Sequence, residues 1–529
     1  MRIAAFDLGS NSFHLIVVEA TRDGTFLPLV REKEMLRLGD LVARSGRIGR
    51  DAQRQAVEVM RRMRAVADVQ GADEIVAIGT AALREAEDGS ELVDRIYDET
   101  GIAVSVIDGV REAELIFRAI RASVLIEDGP ALAADLGGGS LELMVGDRAG
   151  LLYAASLHLG VGRLTAELVE SDPPSRADLA RLRARVASQL APVFEEIAEY
   201  KARVLIGSSG TFVALARMAV ALSGAGVPDA VNQLTVHAKD LAALRKKVLA
   251  MTNAERARLP GCDARRAELV PAGIVVLGQL MAESGLEEIT LSEWALREGI
   301  VLEAIGAHDR TELGDDPRAL RRASVLSLCR RSNWRQEHAR QVARLALALF
   351  EATADLHGLG PADRELLELA ALLHDIGEHI SRTGHDRHTA YLIENGGLRG
   401  FSPDEIRMLA VVGRYHVRGT PKPVFEAFAA LGGAERARAI RLTALLRIAD
   451  ALDTAHAARV TRLWRVPETG AVRLAIAVRG EAELEQWMVR RKAPLFERIV
   501  GMPIVLEIHP LPRARERDSQ EQGVGTGLG

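Results

Sequence analysis

Cysteine, aromatic residues and long apolar runs are scarce in this sequence. The 529 residues include only two cysteines, Cys262 and Cys329, which lie far apart and belong to no CxxC pair. Neither a disulfide framework nor a structural zinc site is therefore indicated, and a reducing compartment is expected. The longest apolar run, at residues 272–282, is shorter than the ~18 residues of a membrane span.

A cationic leader and an excess of positive charge are also lacking. The chain passes directly from Met1-Arg2 into an apolar strand pattern, without the successive regions of a signal peptide. Its formal net charge is −5, which argues against nucleic-acid binding through a general positive field. We expect a cytoplasmic protein that binds neither nucleic acid nor a membrane.

An internal repeat is the most informative feature that the sequence does contain. "IAAFDLGSNSFHLIVVEA" (3–20) and "ALAADLGGGSLELMVGDR" (131–148) both read as an apolar strand, Asp-Leu-Gly, a small polar turn and a second strand. Asp7 aligns with Asp135, and Ser12 aligns with Ser140. The repeat predicts two β-hairpins in two related lobes that face each other.

The pattern along the chain predicts four domains and a tail, in keeping with ~150 residues per domain. Strands alternate with helices in two α/β lobes at 1–125 and 126–305. An acidic, polar linker follows, and three- and four-residue apolar spacing then predicts an all-α domain within 306–457. Residues 458–512 alternate as a small α+β domain, and the polar, Gly-rich stretch 513–529 is expected to be disordered.

The second glycine turn has the composition of a phosphate and metal site. Backbone amides of Gly137, Gly138, Gly139 and the neighbouring Ser140 can approach phosphoryl oxygens because glycine has no Cβ. Asp135 and Glu142 lie on either side of the turn, so both carboxylates are expected to converge on one Mg²⁺. Asp7 is a further candidate metal ligand.

Other small polar residues occupy comparable positions after strands. In the first repeat these are Asn11 and Ser12, and Thr80 follows a later strand of the same lobe. In "IGSSGTF" (206–212), Ser209, Gly210 and Thr211 can offer amides and hydroxyls at a helix N-terminus. Arg84 is a candidate for neutralising phosphate, with a salt bridge inside its own lobe as the alternative.

These blocks resemble the actin, sugar-kinase and heat-shock ATPase superfamily. They resemble more closely the exopolyphosphatase and guanosine pentaphosphate phosphohydrolase family, through "AFDLGSNSFHLIV", "AIGTAALREA", "DGVREAELIFRAI", "ADLGGGSLELMV", "IGSSGT" and "LSEWALREGI" in order. The chain departs from the family pattern at Asp108-Gly109, where relatives have Ser-Gly, and near Glu293-Trp294. The resemblance implies two actin-like, ribonuclease H-like lobes.

The resemblance also implies an activity and its residues. Relatives remove a terminal phosphoryl group with Mg²⁺ or Mn²⁺, and Glu112 matches their catalytic carboxylate. From the sequence alone, a glutamate in the first turn of a helix is expected to stabilise the helix dipole. With the resemblance, Glu112 is predicted to orient or deprotonate water. The resemblance further implies a homodimer.

The helical domain contains a second constellation. His338, the pair His374-Asp375 and Asp450 follow the order of the HD phosphohydrolase motif, which the chain resembles through "LLHDIG", "RHTAYLI" and "RYH". Imidazoles and carboxylates together suit a divalent metal, and His388 with His416 are candidates for a second metal position. The alternative is an architectural helical lobe that extends a polyanion groove and mediates dimerisation.

The function predicted from these observations is an exopolyphosphatase that releases orthophosphate from the end of inorganic polyphosphate. Hydrolysis of guanosine pentaphosphate to the tetraphosphate is the close alternative within the same mechanism. Two rivals from other classes remain: an ATP-dependent kinase of the same fold, and a non-catalytic sensor of polyphosphate or nucleotides. Turnover by a Glu112→Gln variant discriminates the enzyme from the sensor.

Overall fold

The computed structural model describes residues 1–21, 25–126, 129–224, 226–228, 230–308 and 317–511. Contacts group these residues into two compact units: Met1–Arg321 with Arg399–Pro403, and Arg322–Leu398 with Asp404–Gly529. The predicted tail at 513–529 lies outside the described residues, as does most of the predicted linker.

The first unit contains eleven of the described strands. They are β1 (Arg2–Leu8), β2 (Ser12–Ala20), β3 (Phe26–Met35), β4 (Glu74–Gly79), β5 (Val104–Val106), β6 (Ala131–Leu136), β7 (Leu141–Gly146), β8 (Leu151–Leu157), β9 (Val204–Ser208), β10 (Thr235–His237) and β11 (Glu288–Leu291). The helices are α1 (Leu38–Ser45), α2 (Arg50–Val69), α3 (Ala81–Glu85), α4 (Gly89–Thr100), α5 (Gly109–Arg121), α6 (Val161–Leu168), α7 (Arg176–Ile197), α8 (Ser209–Leu222), α9 (Ala238–Val248), α10 (Asn253–Arg256), α11 (Val270–Ser284) and α12 (Leu296–His308). Short 3-10 helices cover Ala198–Tyr200 and Ala264–Leu269.

The two sheets of this unit repeat one topology. The first has the order β3-β2-β1-β4-β5, and the second has β10-β11-β9-β6-β7-β8. In each sheet, three antiparallel strands (β3-β2-β1 and β8-β7-β6) are followed by parallel strands (β4-β5 and β9-β11). Strands β6, β7, β8, β9 and β11 therefore correspond, in that order, to β1, β2, β3, β4 and β5. The sequence repeat covers only the first hairpin of each sheet, whereas the structural repeat covers both sheets.

Strands β6 and β7 are buried at every position, which explains why all their residues except Asp135 and Glu142 are apolar. Helices α7, α8 and α11 cover one face of the second sheet, and α2 and α4 cover one face of the first. A third apolar cluster, which includes Ile3, Ile116, Met144 and Ile300, lies between the two sheets. The unit therefore has a core between its lobes as well as one within each lobe.

The last helix of each lobe packs on the other lobe. Helix α5 follows the first sheet in the chain but contacts β7 and β8, and α12 follows the second sheet but contacts β1 and β2. Close approach requires glycine at Gly109, where a Cβ would lie 2.3 Å from Ser156 Cβ, and at Gly299, where it would lie 2.1 Å from the Leu115 carbonyl oxygen. This exchange carries the start of α5 to the second sheet.

The second unit is helical, with a small sheet. After α13 (Pro317–Arg331), which contains the boundary, its helices are α14 (Gln336–Ala352), α15 (Ala354–His357), α16 (Pro361–Leu373), α17 (His385–Asn395), α18 (Pro403–Tyr415), α19 (Glu426–Ala430), α20 (Gly433–Ala451), α21 (Glu483–Lys492) and α22 (Pro494–Val500). A 3-10 helix covers Ile376–His379, and β12 (Val460–Val466), β13 (Val472–Val478) and β14 (Ile504–Pro510) form the sheet. β12 pairs antiparallel and β14 pairs parallel with β13.

One helical stretch, Ala264–Ser284, is long and apolar enough to cross a membrane by length and composition. Most of it is buried in the protein, where Ile274, Val276 and Leu280 belong to the core of the second lobe. Burial against neighbouring helices accounts for its apolar composition without a membrane.

Candidate active site

A cavity of about 500 Å³ opens where the two hairpin turns of the first unit meet. Its lining includes most of the residues that the sequence predicted to bind phosphate or metal: Asp7, Asn11, Ser12, Thr80, Glu112, Asp135, Gly137, Gly138, Gly139, Ser140, Ser209, Gly210 and Thr211. The tertiary structure therefore brings together groups from both lobes and from the ends of four strands, β1, β4, β6 and β9.

The glycine turn at the cavity is held by the N-terminus of α6. The carbonyls of Gly137 and Gly138 accept hydrogen bonds from the amides of Val161 (3.0 Å) and Gly162 (2.9 Å). Since N–H and C=O of a trans peptide point in opposite directions, the amides that follow these carbonyls point away from α6. Those amides belong to residues that line the cavity, where an anion can accept from them.

Two of the turn glycines also permit contact between the hairpins. A Cβ on Gly138 would lie 2.8 Å from Asn11 Cβ, and one on Gly139 would lie 2.6 Å from Ser10 Oγ. Any larger residue would push the two turns apart. The sequence explained these glycines by ligand approach alone, and the structure adds the approach of the two lobes.

Four carboxylates converge below the turns. Asp135 and Glu142 are cross-strand partners in β6 and β7, so their side chains lie on the same face of the sheet. Asp7 is at the equivalent position of β1, opposite His14. Glu112 comes from the first turn of α5, which begins with an N-cap hydrogen bond from Arg111 N to Asp108 Oδ1 (2.8 Å). Aspartate is among the residues preferred at this cap position, because its side chain accepts from a backbone amide of the first turn.

Burial raises the pKa of each of these carboxyls. The pKa is raised to about 7 for Asp7, and to about 6 for Asp135, whose shift is opposed by a hydrogen bond from Ser208. Burial first and Asp135 second raise the pKa of Glu142 to about 7. Burial first and Glu142 second raise the pKa of Glu112 well above its usual range. Such a group of oxygen ligands fits a hard divalent cation, which would compensate their charge.

Hydrogen bonds distinguish the roles of these acids. Glu142 Oε1 accepts from Ser156 (2.8 Å), and Asp135 accepts from Ser208. Glu112 Oε2 is buried and accepts no hydrogen bond from any described residue. This oxygen is therefore left available to a water molecule or a ligand.

Arg84 and Glu142 do not line the cavity, although the sequence placed both in the site. Arg84 Nη1 donates to the Ile107 carbonyl (2.6 Å) and lies 3.7 Å from Glu112 Oε2. In the structure Arg84 thus takes part in the intralobe ion pair that was the alternative to phosphate binding. Glu142 is the cross-strand partner of Asp135, and its negative charge helps to raise the pKa of Glu112.

The end of β9 leads into the start of α8 at the cavity. Ser209 has a φ of 87°, in the left-handed region that serine rarely adopts, and its hydroxyl accepts from Thr211 N (3.2 Å). Strain of this kind is characteristic of functional sites. Gly210 packs against Arg266, since a Cβ there would lie 2.2 Å from a guanidinium nitrogen.

The sequence did not predict the cationic wall of the cavity. Its members come from four distant segments: Arg31, Lys33, Arg217, Arg266 and Arg297. Burial first and Arg266 second lower the pKa of Lys33 to about 8. His14 Nδ1 accepts from Arg297 Nη1 (3.2 Å), and burial followed by Arg297 holds the pKa of His14 well below its usual range. No motif spacing connects these residues, so no sequence signal could have found them as a set.

The histidines of the second unit also meet. His338, His374 and Asp450 form one group that could hold a metal ion, and Asp375 with His385 and His416 forms another. The prediction of His388 in the second position was wrong: His385, one turn earlier on α17, faces His416 instead.

The chain matches known families over both units. Residues 17–308 match the Ppx/GppA phosphatase family, and residues 320–483 match Ppx/GppA phosphatase, domain III. Exopolyphosphatase 1 of Mycobacterium leprae is 36% identical over 303 residues, which cover 57% of this chain and 89% of the relative.

Solved structures agree with the sequence matches. An exopolyphosphatase from Cytophaga hutchinsonii is 31% identical with a TM-score of 0.55, covering 58% of this chain and 98% of that chain. An Aquifex aeolicus Ppx/GppA protein, 24% identical with a TM-score of 0.51, shares the fold over 59% of this chain and 99% of that chain. These likenesses confirm the predicted family resemblance and the predicted fold class.

Proposed function

The chain belongs to the Ppx/GppA phosphatase family, and on that premise we propose that it hydrolyses the terminal phosphoanhydride bond of inorganic polyphosphate. The relatives named exopolyphosphatase confirm the coarser prediction of a phosphoanhydride hydrolase. Within that class, the proposal depends on one observation: Glu112 Oε2 is buried at the cavity and has no hydrogen-bond donor among the described residues.

Glu112 would act on the attacking water. Its carboxylate accepts a water proton as the water oxygen bonds to the terminal phosphorus, and the bridging P–O bond breaks with its electrons passing to the shortened chain. The amides of the glycine turn and of α8 hold the phosphoryl oxygens. Asp7 and Asp135, which line the cavity, would hold Mg²⁺ or Mn²⁺, with Glu142 paired to Asp135 across the strands; the ion would supply positive charge to the phosphoryl oxygens.

The cationic wall supports polyphosphate as the substrate. A terminal phosphoryl group needs only the turn amides and the metal, whereas Lys33, Arg266 and Arg297 provide further positive charge along the same cavity. A chain of phosphates can contact these groups beyond its terminal residue. Their number favours a polyanion over a small monoester.

The same premise supports three accompanying proposals. We propose that guanosine pentaphosphate is a weaker alternative substrate, because it presents the same terminal anhydride. We also propose that the protein acts in the cytoplasm, since its two thiols require no oxidising compartment. A homodimer is proposed in keeping with the family resemblance, and we propose that it binds neither nucleic acid nor a membrane, in keeping with its net charge of −5 and the burial of its one long apolar helical stretch among the described residues.

The test is phosphate release by Glu112→Gln. Loss of a positioned proton acceptor should lower kcat by roughly 10²–10⁴-fold while binding of polyphosphate persists. Glu114→Gln is the matched control, because Glu114 is exposed on the same helix and pairs with Arg111. Unchanged turnover in Glu112→Gln would contradict the assignment.

A substrate comparison separates the two anhydrides. Long-chain polyphosphate and guanosine pentaphosphate, assayed side by side, should give the higher kcat/KM for polyphosphate. A clear preference for the nucleotide would contradict polyphosphate as the principal substrate and leave the role of Glu112 intact.

A further inference from the structure

The second unit contains a buried cluster of four histidines and two aspartates arranged around Asp375. Asp375 Oδ2 lies 3.4 Å from His374 Nε2 and 3.7 Å from His338 Nε2. Asp375 Oδ1 lies 3.1 Å from His416 Nε2 and 3.3 Å from His385 Nε2. Each oxygen of one carboxylate therefore faces a different pair of imidazoles.

The outer nitrogens of the four rings are all committed to protein acceptors. Nδ1 of His374, His385 and His416 lies within 2.7–3.0 Å of a backbone carbonyl, and Nδ1 of His338 lies 2.8 Å from Asp453 Oδ2. A carbonyl oxygen can only accept, so these Nδ1 atoms carry the proton. The Nε2 atoms are left as lone-pair donors that point into the cluster, an orientation typical of metal-binding histidines.

The inward nitrogens lie in two pairs that are close enough to share a cation. His338 Nε2 and His374 Nε2 are 3.2 Å apart, and His385 Nε2 and His416 Nε2 are also 3.2 Å apart. Without metal, a proton on one nitrogen of each pair makes this contact a hydrogen bond, and a metal ion bound by both lone pairs would replace that proton. Two nitrogens that each bind one ion at about 2.1 Å, at right angles, are about 3 Å apart, which matches both pairs.

Asp450 adds a carboxylate oxygen to the first metal position, which is formed by His338 and His374. Its Oδ1 lies 3.7 Å from His338 Nε2 and 3.9 Å from His374 Nε2, whereas its Oδ2 pairs with Lys492. Lys492 thus holds the carboxylate with one oxygen facing the imidazoles. The second position has His385, His416 and Asp375 Oδ1.

A cationic cavity of about 550 Å³ adjoins the cluster. It shares His385 and Lys492 with the cluster, and its other cations are Arg382, Arg418, Arg447, Arg491 and Arg498. Asp386 is the one acid among the described lining residues, and it is already paired with Arg414. A cavity of this size and charge suits a phosphorylated small molecule.

We propose that the second unit carries a second hydrolytic centre, in which Asp375 bridges two divalent metal ions and the cationic cavity takes a phosphoric ester or anhydride. Water adds to phosphorus as the bond to the leaving oxygen breaks. The leaving oxygen keeps the bond electrons and receives one water proton, and the other proton passes to solvent. Paired ions stabilise the attacking and leaving oxygens of such a displacement.

Metal content tests the centre without relying on activity. The full chain with Asp135→Asn, which removes a carboxylate that lines the cleft cavity, is loaded with Mn²⁺, separated from free metal and analysed by mass spectrometry. Two ions per chain are expected, and adding Asp375→Asn should remove both. Adding His385→Gln should remove one, whereas His388→Gln, on the same helix, should remove none.

Retention of both ions by a folded Asp375→Asn protein, checked by circular dichroism, would overturn the two-ion centre. If Asp375→Asn fails to fold, the comparison of His385→Gln with His388→Gln decides instead. Equal metal content in that pair would overturn the second ion position.

Hydrolysis is tested in the full chain with Glu112→Gln, so that failure of the first site does not affect the result. Mn²⁺-dependent phosphate release is measured with p-nitrophenyl phosphate, ATP and inorganic polyphosphate. At least one should be hydrolysed, with loss of more than 90% of the rate on adding Asp375→Asn. Arg498→Gln should raise KM several-fold, and Arg490→Gln, which lies outside the cavity, should not. Absence of release from all three by the metal-loaded protein would overturn the hydrolytic part.

Discussion

At the scale of single residues, the first site depends on carboxyl groups held where ionisation is unfavourable. Asp7, Asp135 and Glu142 all have a raised pKa because burial removes their solvation. In the folded protein without metal they bind protons that the unfolded chain releases. At pH values above the usual carboxyl pKa, these buried acids therefore lower the free energy of unfolding. A bound cation should restore that free energy.

Glu142→Gln tests this dependence. Burial raises the pKa of Glu142 from its ordinary value of 4.5 to about 7 in the folded protein, so the stability of the metal-free wild type falls as the pH rises from 4.5 through 7. The variant lacks this penalty, and its free energy of unfolding relative to wild type should rise by up to about 3 kcal/mol between pH 5 and 8. Denaturant unfolding in EDTA measures the difference.

The same titration with saturating Mg²⁺ is the control, because the positive charge of a cation bound beside Asp135 favours the ionised form of Glu142 in the wild type. The relative gain should then disappear. A difference that does not change with pH in EDTA would contradict the buried ionisation of Glu142.

Arg266 and Arg265 provide a matched pair of adjacent cations. Arg266 lines the cavity against Gly210, whereas the Arg265 side chain is 70% exposed and pairs with Asp263. Arg266→Gln should raise KM for polyphosphate about tenfold with little change in kcat, since a hydrogen bond to a charged group contributes about 1.5 kcal/mol. Steady-state kinetics of Arg266→Gln and Arg265→Gln at low salt measure this, and equal KM values would contradict the role of Arg266.

At the scale of elements, the contact between hairpin turns and the start of α6 sets the geometry of the site. Gly160 precedes α6 with a φ of −61° that alanine could adopt. An added Cβ would nevertheless lie 2.2 Å from the Gly139 carbonyl carbon. The requirement for glycine here comes from close packing on the turn.

Gly160→Ala should therefore displace the glycine turn. We expect destabilisation by about 1–3 kcal/mol, as for other overpacked sites, and a larger fractional loss of phosphate release than of folded protein. Gly150→Ala is the control, since a Cβ there meets nothing within 4 Å. Thermal unfolding and kcat measure both variants, and wild-type behaviour of Gly160→Ala would contradict the packing argument.

At the scale of the whole molecule, we expect the first unit to be sufficient for the proposed first activity. The matches to the Mycobacterium leprae relative and the Cytophaga hutchinsonii structure cover 57% and 58% of this chain, and 89% and 98% of those proteins. In this chain, residues 399–403 also belong to the first unit, where Arg399 stacks on Trp294 at 4.9 Å. Trp294 stacks in turn on Phe26.

Residues 1–308 expressed alone should retain phosphate release from short polyphosphate within a few-fold of the full chain. Their stability should be lower by about 1–2 kcal/mol, because the cation–π contact of Arg399 is lost. Phosphate assays and thermal unfolding of both chains measure the two effects. A folded but inactive fragment would contradict the sufficiency of the first unit.

The sequence by itself determined the elements and the family. Its period-two and three-to-four spacing predicted the strands, the helical second unit and the small terminal sheet, because these periods record which face of each element is buried. The duplicated Asp-Leu-Gly hairpins identified Asp7, Asp135 and the glycine turn, since a short motif contains its own spacing.

Only the tertiary structure decided which distant residues meet. Helix α5 crosses to the other lobe and carries Glu112 to Glu142, and Arg31, Lys33, Arg266 and Arg297 reach one wall from separate segments. His385 rather than His388 faces His416 for the same reason. Local spacing constrains neighbours along the chain, whereas packing between elements fixes the distances on which catalysis and metal binding depend.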